Sequence, residues 1–152
     1  MYNISLRILG KEEDAQDVLQ DAFLSAFVKI EQFSGKVTFG AWLKRIVINK
    51  SIDHFKKKKL KLVELDGVSY RLAAEEEELD IDLYKGKLEK IHNKVKDLPD
   101  GCRVVFSLYM LEGYDHNEIS EIMNVSVSTS KSQLHRAKKL LREKLELDLK
   151  AS

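Results

Sequence analysis

Apolar side chains recur at three- and four-residue intervals along most of this sequence, and a single proline, Pro99, interrupts them in 152 residues. That period belongs to helices with one face turned inward. One proline and seven glycines supply little of the turn chemistry that a sheet-rich fold needs. The expectation is therefore an all-α protein. With 43% hydrophobic and 34% charged residues, the chain can build helical cores and coat them with charge. Its length admits one ordinary domain or two small ones.

The clearest helix carries Ala15, Val18, Leu19, Ala22, Phe23, Ala26, Phe27 and Ile30 on what the spacing reads as one inward face. Glu12, Glu13 and Asp14 crowd its first turn, where the helix dipole favours anions. Met1 to Leu9 reads as the end of a preceding helix, closed by Gly10. Phe33 to Gly40 (FSGKVTFG) reads as a loop, and a third helix is expected from about Ala41 to Lys58. From Leu60 to about Asp80 the period is lost and the acidic run Glu75–Glu78 appears, so this stretch reads as a flexible acidic linker. Helix returns near Asp82, with Tyr84, Leu88, Ile91, Val95 and Leu98 on one face. After Pro99 another helix is expected from about Asp100 to Leu111, ending near Gly113.

A helix-turn-helix pattern follows. Asp115 with Glu118 three residues on forms a capping-box signature, and Ile119, Ile122 and Met123 give a short apolar face. Asn124 is suited to a left-handed helix end, and Ser126 can cap a second helix running to about Leu147 with Leu134, Ala137, Leu141 and Leu145 inward. A short helix, a tight turn and a longer basic helix is the unit that reads DNA.

Charge adds to this. The net charge is only +1, but residues 1–60 carry +4 and residues 61–97 carry −3. From Lys131 to Arg142 every charged side chain is basic. Segregated charge of this kind points to an anionic partner more than the total does. Other classes find little support. Cys102 stands alone and can form no internal disulfide, no apolar run approaches the roughly 20 residues of a membrane span, and no signal-peptide pattern opens the chain. A cytoplasmic protein without membrane insertion is expected. His54, His92, His116 and His135 are scattered without metal-ligand spacing, and no glycine-rich phosphate loop or nucleophile elbow is present. Neither catalysis nor a metal or other cofactor is expected.

Three constellations are candidates for function. On the basic helix, Ser128, Thr129, Lys131, Ser132, His135, Arg136 and Lys139 project away from the apolar stripe, hydroxyls first and long cations after. Such a face suits phosphate oxygens and base edges, although a solvated face of a bundle would look the same. Between Phe33 and Lys59, Trp42, Ile46, Val47, Ile48, Ile52 and Phe55 surround most of the helix, so its middle is expected to be buried, with Asn49 inside the apolar run. A planar amide there either bonds within the core or meets a ligand such as an unstacked base, with Lys56–Lys59 available for phosphates. Asp14, Asp17, Gln20 and Asp21 form a polar stripe that is either solvated or docks on a basic partner.

In this order the segments resemble the extracytoplasmic-function group of bacterial sigma-70 factors. DAQDVLQDAFLSAF (Asp14–Phe27) is similar to the family's helix that grips the clamp helices of the polymerase largest subunit. FSGKVTFGAWLKRIVINKSIDHFKKKK (Phe33–Lys59) resembles the loop and helix that capture a flipped minus-10 base. LPDGCRVVFSLYMLEGYDHNEISEIMNVSVSTSKSQLHRAKKLL (Leu98–Leu141) resembles the minus-35-binding domain. The resemblance implies two small helical domains, a promoter-melting bundle over 1–59 and a helix-turn-helix domain over 82–152, joined by the linker at 60–81.

Position by position, it implies that Phe33, Ser34, Lys36, Phe39, Asn49, Lys56 and Lys57 face minus-10 DNA. Lys131, Ser132, His135 and Arg136, with Ser128, Thr129 and Lys139 beside them, face the minus-35 duplex, and Asp14, Asp17, Gln20 and Asp21 face the polymerase. The implied partners are core RNA polymerase, through the clamp helices and the flap of the second-largest subunit, promoter DNA, and an anti-sigma factor. Two departures stand out. The family normally has about one more helix before the segment that starts here at Met1, which implies a short first domain. Lys131 and Gln133 stand where relatives often place arginine, and lysine lacks arginine's bidentate fork. The alternative function is a helix-turn-helix regulator with a helical sensor or partner-docking N-terminal domain.

Overall fold

A computed structural model of the protein describes residues 1–63 and 88–151, with side chains over 1–59 and 90–151. All regular secondary structure among the described residues is helical. They fall into two compact units, one on each side of the undescribed stretch.

The first unit holds three α-helices: α1 (Tyr2–Leu9), α2 (Glu12–Val28) and α3 (Phe39–Val63), each packed against the other two. Gly10 takes the left-handed conformation (φ 74°) that ends α1, its N–H donating to the Leu6 carbonyl at 2.8 Å. This sharp corner turns α2 back along α1. Ile8 and Leu9 of α1 and Leu43, Val47, Ile48, Ile52 and Phe55 of α3 form the core against α2. Between α1 and α3 the buried Ser51 hydroxyl reaches both Ser5 Oγ at 3.0 Å and the Val47 carbonyl at 2.7 Å, so neither buried serine is unsatisfied.

Two expectations for this unit need correcting. On α2 the buried stripe is Ala15, Val18, Ala22 and Ala26, whereas Phe23, Phe27 and Ile30, expected inside, are 47%, 81% and 45% exposed. Leu19 is half-buried. The apolar arc is wide, and α1 and α3 cover its small-residue side. Alanines let neighbouring helices approach closely, and the bulky side chains are left uncovered. Second, α3 begins at Phe39 rather than Ala41 and continues through Val63. Thr38 is its cap, Oγ1 accepting from the Ala41 N–H at 3.2 Å. Residues 60–63, expected as linker, are thus helical; the acidic run Glu75–Glu78 and the helix start near Asp82 lie outside the described residues.

The second unit contains α4 (Leu88–Lys96), α5 (Asp100–Phe106) running directly into a π-helical turn (Ser107–Leu111), α6 (His116–Met123) and α7 (Val127–Ala151). Val95, Leu98, Val104, Val105, Phe106, Leu108, Ile119 and Met123 close around Leu134, Ala137, Leu141 and Leu145, the four residues expected to face inward on α7. The single α-helix expected from Asp100 to Leu111 is broken in character: the Glu112 N–H donates to Ser107 O at 3.1 Å, an i to i+5 bond that widens the last turn. Gly113 (φ 77°) then redirects the chain into α6.

Candidate nucleic-acid interface

In the first unit, Gly35 (φ 71°) turns the loop after a short 3-10 segment at Ile30–Gln32 and leads back into α3. Phe33 at the loop's start then meets Phe39 and Trp42 in the first turn of α3. The three rings form a cluster with centroids 5.3–5.7 Å apart, Phe33 standing edge-on to Phe39 at 88°. Phe39 is 49% exposed, so part of the cluster is open to a planar ligand. Ser34 and Lys36 lie exposed on the same loop.

Asn49 is exposed. It lies in an apolar run, but on the side of α3 turned away from Val47 and Ile48, so the cost of a buried unpaired amide does not arise. Trp42, Asn49 and Lys56 are spaced by seven residues, and two helical turns bring each nearly into line with the last, drifting about 20° per step. Aromatic cluster, amide and cation therefore follow one another along one face, with Lys57 exposed beside Lys56.

Of the α2 stripe, Asp17, Gln20 and Asp21 are exposed. Asp14 differs: its carboxylate pairs with Lys58 and lies 3.4 Å from His54 Nε2, both on α3. The Lys58 hydrogen bond holds its carboxyl below the usual 3.8 against the opposing effect of burial, with the charges of Lys58 and His54 adding to the lowering. Asp14 thus ties α2 to α3. A small hollow beside this pair is lined by Val18, Asp21, Lys50, Asp53, His54 and Lys57.

In the second unit the helix-turn-helix is assembled by its caps. Asp115 Oδ1 accepts from the Glu118 N–H and Glu118 Oε2 accepts from the Asp115 N–H, both at 2.8 Å. Asn124 (φ 54°) makes the left-handed end of α6, and Ser126 Oγ accepts from the Thr129 N–H at 3.0 Å to open α7. The three local signals read from the sequence fall as expected. Ser128, Thr129, Lys131 and Lys139 are exposed, and Ser132, His135 and Arg136 are partly so, on the side of α7 opposite Leu134, Ala137 and Leu141. The structure gathers these seven on one surface.

Two groupings had no signal in the sequence, because each joins residues distant along the chain. Cys102 is buried, its thiol donating to Gln133 Oε1 at 3.0 Å, and burial pushes its pKa up although Arg136 opposes this. The His116 ring stacks on Tyr109 at 4.6 Å, and its Nδ1 lies 2.8 Å from Ser130 Oγ on α7.

Comparison with known proteins agrees with both halves. The Sigma-70 region 2 family matches residues 1–60, and the Sigma-70, region 4 family matches residues 88–141. The ECF RNA polymerase sigma factor SigW of Bacillus subtilis is 31% identical over 158 residues, which span 95% of this chain and 82% of SigW. The ECF RNA polymerase sigma-E factor of Haemophilus influenzae is 27% identical, over 88% of this chain and 75% of its own length. Among solved structures, the sigma factor RpoE of Bartonella quintana, in complex with the anti-sigma factor NepR, matches with a TM-score of 0.57 at 23% identity, over 97% of this chain and 90% of that one. At that identity the likeness is one of fold.

Proposed function

This chain belongs to the extracytoplasmic-function group of the sigma-70 family, and on that premise we propose that its two helical units divide the reading of a promoter between them. As a sigma factor it directs core RNA polymerase to specific promoters in DNA-templated transcription initiation. Core polymerase and promoter DNA are its partners. In the proposed division, α7 enters the major groove of the minus-35 element, Ser128, Thr129, Lys131 and Lys139 meeting phosphates while Ser132, His135 and Arg136 reach toward base edges.

The N-terminal unit takes the parted non-template strand at minus-10. There the Phe33–Phe39–Trp42 cluster offers a stacking surface, Asn49 an amide for a base edge, and Ser34, Lys36, Lys56 and Lys57 contacts for phosphates. Asp17, Gln20 and Asp21 are proposed as the polymerase-facing surface, with Asp14 holding the helix that presents them. Polymerase supplies the chemistry, and the chain itself is proposed to be non-catalytic. Its proposed compartment is the cytoplasm, and no helix among the described residues is long and apolar enough to cross a membrane. An anti-sigma factor is proposed as a further partner.

One observation carries the reading: a partly exposed aromatic, amide and cation series on one unit and a capped helix-turn-helix with an acid-free basic face on the other, in the order of the two family regions. Reconstitution with core polymerase tests it. The expected result is transcripts that start at a defined subset of promoters and vanish when this chain is omitted. Binding to a DNA operator in the absence of polymerase, with no effect on where transcription starts, would favour the helix-turn-helix regulator instead.

A further inference from the structure

We propose that His116 is a positioning residue for the recognition helix, joining the π-helical turn, α6 and α7 through its neutral imidazole. The inference rests on the promoter reading above, and it adds a residue outside every surface assigned there.

The widened turn at Ser107–Leu111 brings the Tyr109 ring over His116, where the two stack with an interplanar angle of 23°. His116 is the first residue of α6, directly after the Asp115 cap. Its Nδ1 meets Ser130 Oγ, and Ser130 is fully buried in the first turn of α7, one residue from Lys131. A ring held on one face by Tyr109 and at one edge by Ser130 couples three elements whose mutual angle decides how Ser128, Lys131, His135 and Arg136 face outward. With the ring neutral and protonated at Nε2, Nδ1 accepts a hydrogen bond from the Ser130 hydroxyl. Lys131 and Lys138 of α7 and Asp115 of its own cap are the charged groups that act on it.

Protonation need not remove the contact, since Ser130 Oγ can accept from an imidazolium. It does add a third cation beside two lysines in a partly buried place. Burial, and after it Lys131 and Lys138, hold the imidazole pKa below 6.5, with Asp115 opposing. The unfolded chain therefore takes the proton first. The stability that this site contributes is complete above about pH 6.5 and falls below it, until the folded ring titrates as well.

The test uses holoenzyme assembled from core polymerase and the full chain, on a promoter with an intact or a scrambled minus-35 element. The variants are His116→Phe, which keeps a ring without an acceptor, His116→Gln, Ser130→Ala, and the Phe/Ala double substitution. At pH 7.5 His116→Phe and Ser130→Ala should each weaken binding to the intact promoter roughly three- to tenfold, the range of one hydrogen bond lost. Neither should matter on the scrambled promoter, and the double variant should be no worse than either single one. His116→Gln, with an amide oxygen as acceptor, should recover part of the loss.

In the free chain, denaturant midpoints should fall below pH 6.5 more steeply for the wild type than for His116→Phe. Additive losses, equal losses on the scrambled promoter, or coincident pH profiles would overturn the proposal. A wild-type holoenzyme without promoter preference would overturn the promoter reading instead, and the free-chain pH profiles would still judge the contact.

Discussion

Asn49 stands on the solvent-facing side of α3. Its position within VIN invites burial, yet the period of α3 turns Val47 and Ile48 inward and leaves the amide in solvent. An exposed amide in line with Trp42 and Lys56 has nothing to gain in folding from its own polarity. Asn49→Ala is therefore expected to leave the denaturant midpoint and polymerase affinity unchanged while slowing promoter opening, read by permanganate reactivity of minus-10 thymines. Equal loss of polymerase binding and opening would make Asn49 structural. Asp14 behaves in the opposite way. Its folded-state pKa is depressed by Lys58 and His54, so the stability it contributes is present above about pH 3.8 and is lost as pH falls through the depressed value. Asp14→Asn should remove that contribution, on the order of 1 kcal/mol or less for a pair with one exposed partner. The difference from wild type, measured by urea unfolding, should vanish at the acid end.

Among the elements, the helix-turn-helix was the most legible, because each of its boundaries is set by local chemistry. Asp115 and Glu118 box one end of α6, Asn124 takes the left-handed turn, and Ser126 caps α7, all within a few residues of the atoms they satisfy. The α2 face departs from its sequence pattern for the converse reason. Periodicity identifies an apolar arc, but only the neighbouring helices decide which part of it is covered, and α1 and α3 chose the alanines. The π turn was hidden too, since an i to i+5 bond leaves no mark on residue spacing, and the Tyr109–His116–Ser130 contact depends on it. The corrected α2 makes a plain prediction. At 81% exposed, Phe27 contributes little to the core, and Phe27→Ser should shift thermal stability by no more than about 0.5 kcal/mol. A Phe27 that packed inward would cost several times as much, about 3–5 kcal/mol for a truncated aromatic.

For the whole molecule, the all-helical reading and the order of the two sigma-70 regions along the chain were legible, because helical period, caps and charge runs are one-dimensional signals. Contacts between distant residues, such as Lys58 with Asp14 and Gln133 with Cys102, were not. Each unit closes its own core, the second around α7 with Leu108, Ile119 and Leu141 each at most 1% exposed. A fragment beginning at residue 88 is therefore expected to show helical circular dichroism and a cooperative melt of its own; a broad, non-cooperative loss of signal would mean that the first unit is needed to complete it. The first unit carries a different constraint. Its α2 meets its neighbours through Ala15, Val18, Ala22 and Ala26, a thin seam with one larger side chain in it. Ala15 and Ala22, both fully buried, leave little room for growth, and a larger side chain at either would strain the seam that Asp14 and Lys58 tie shut.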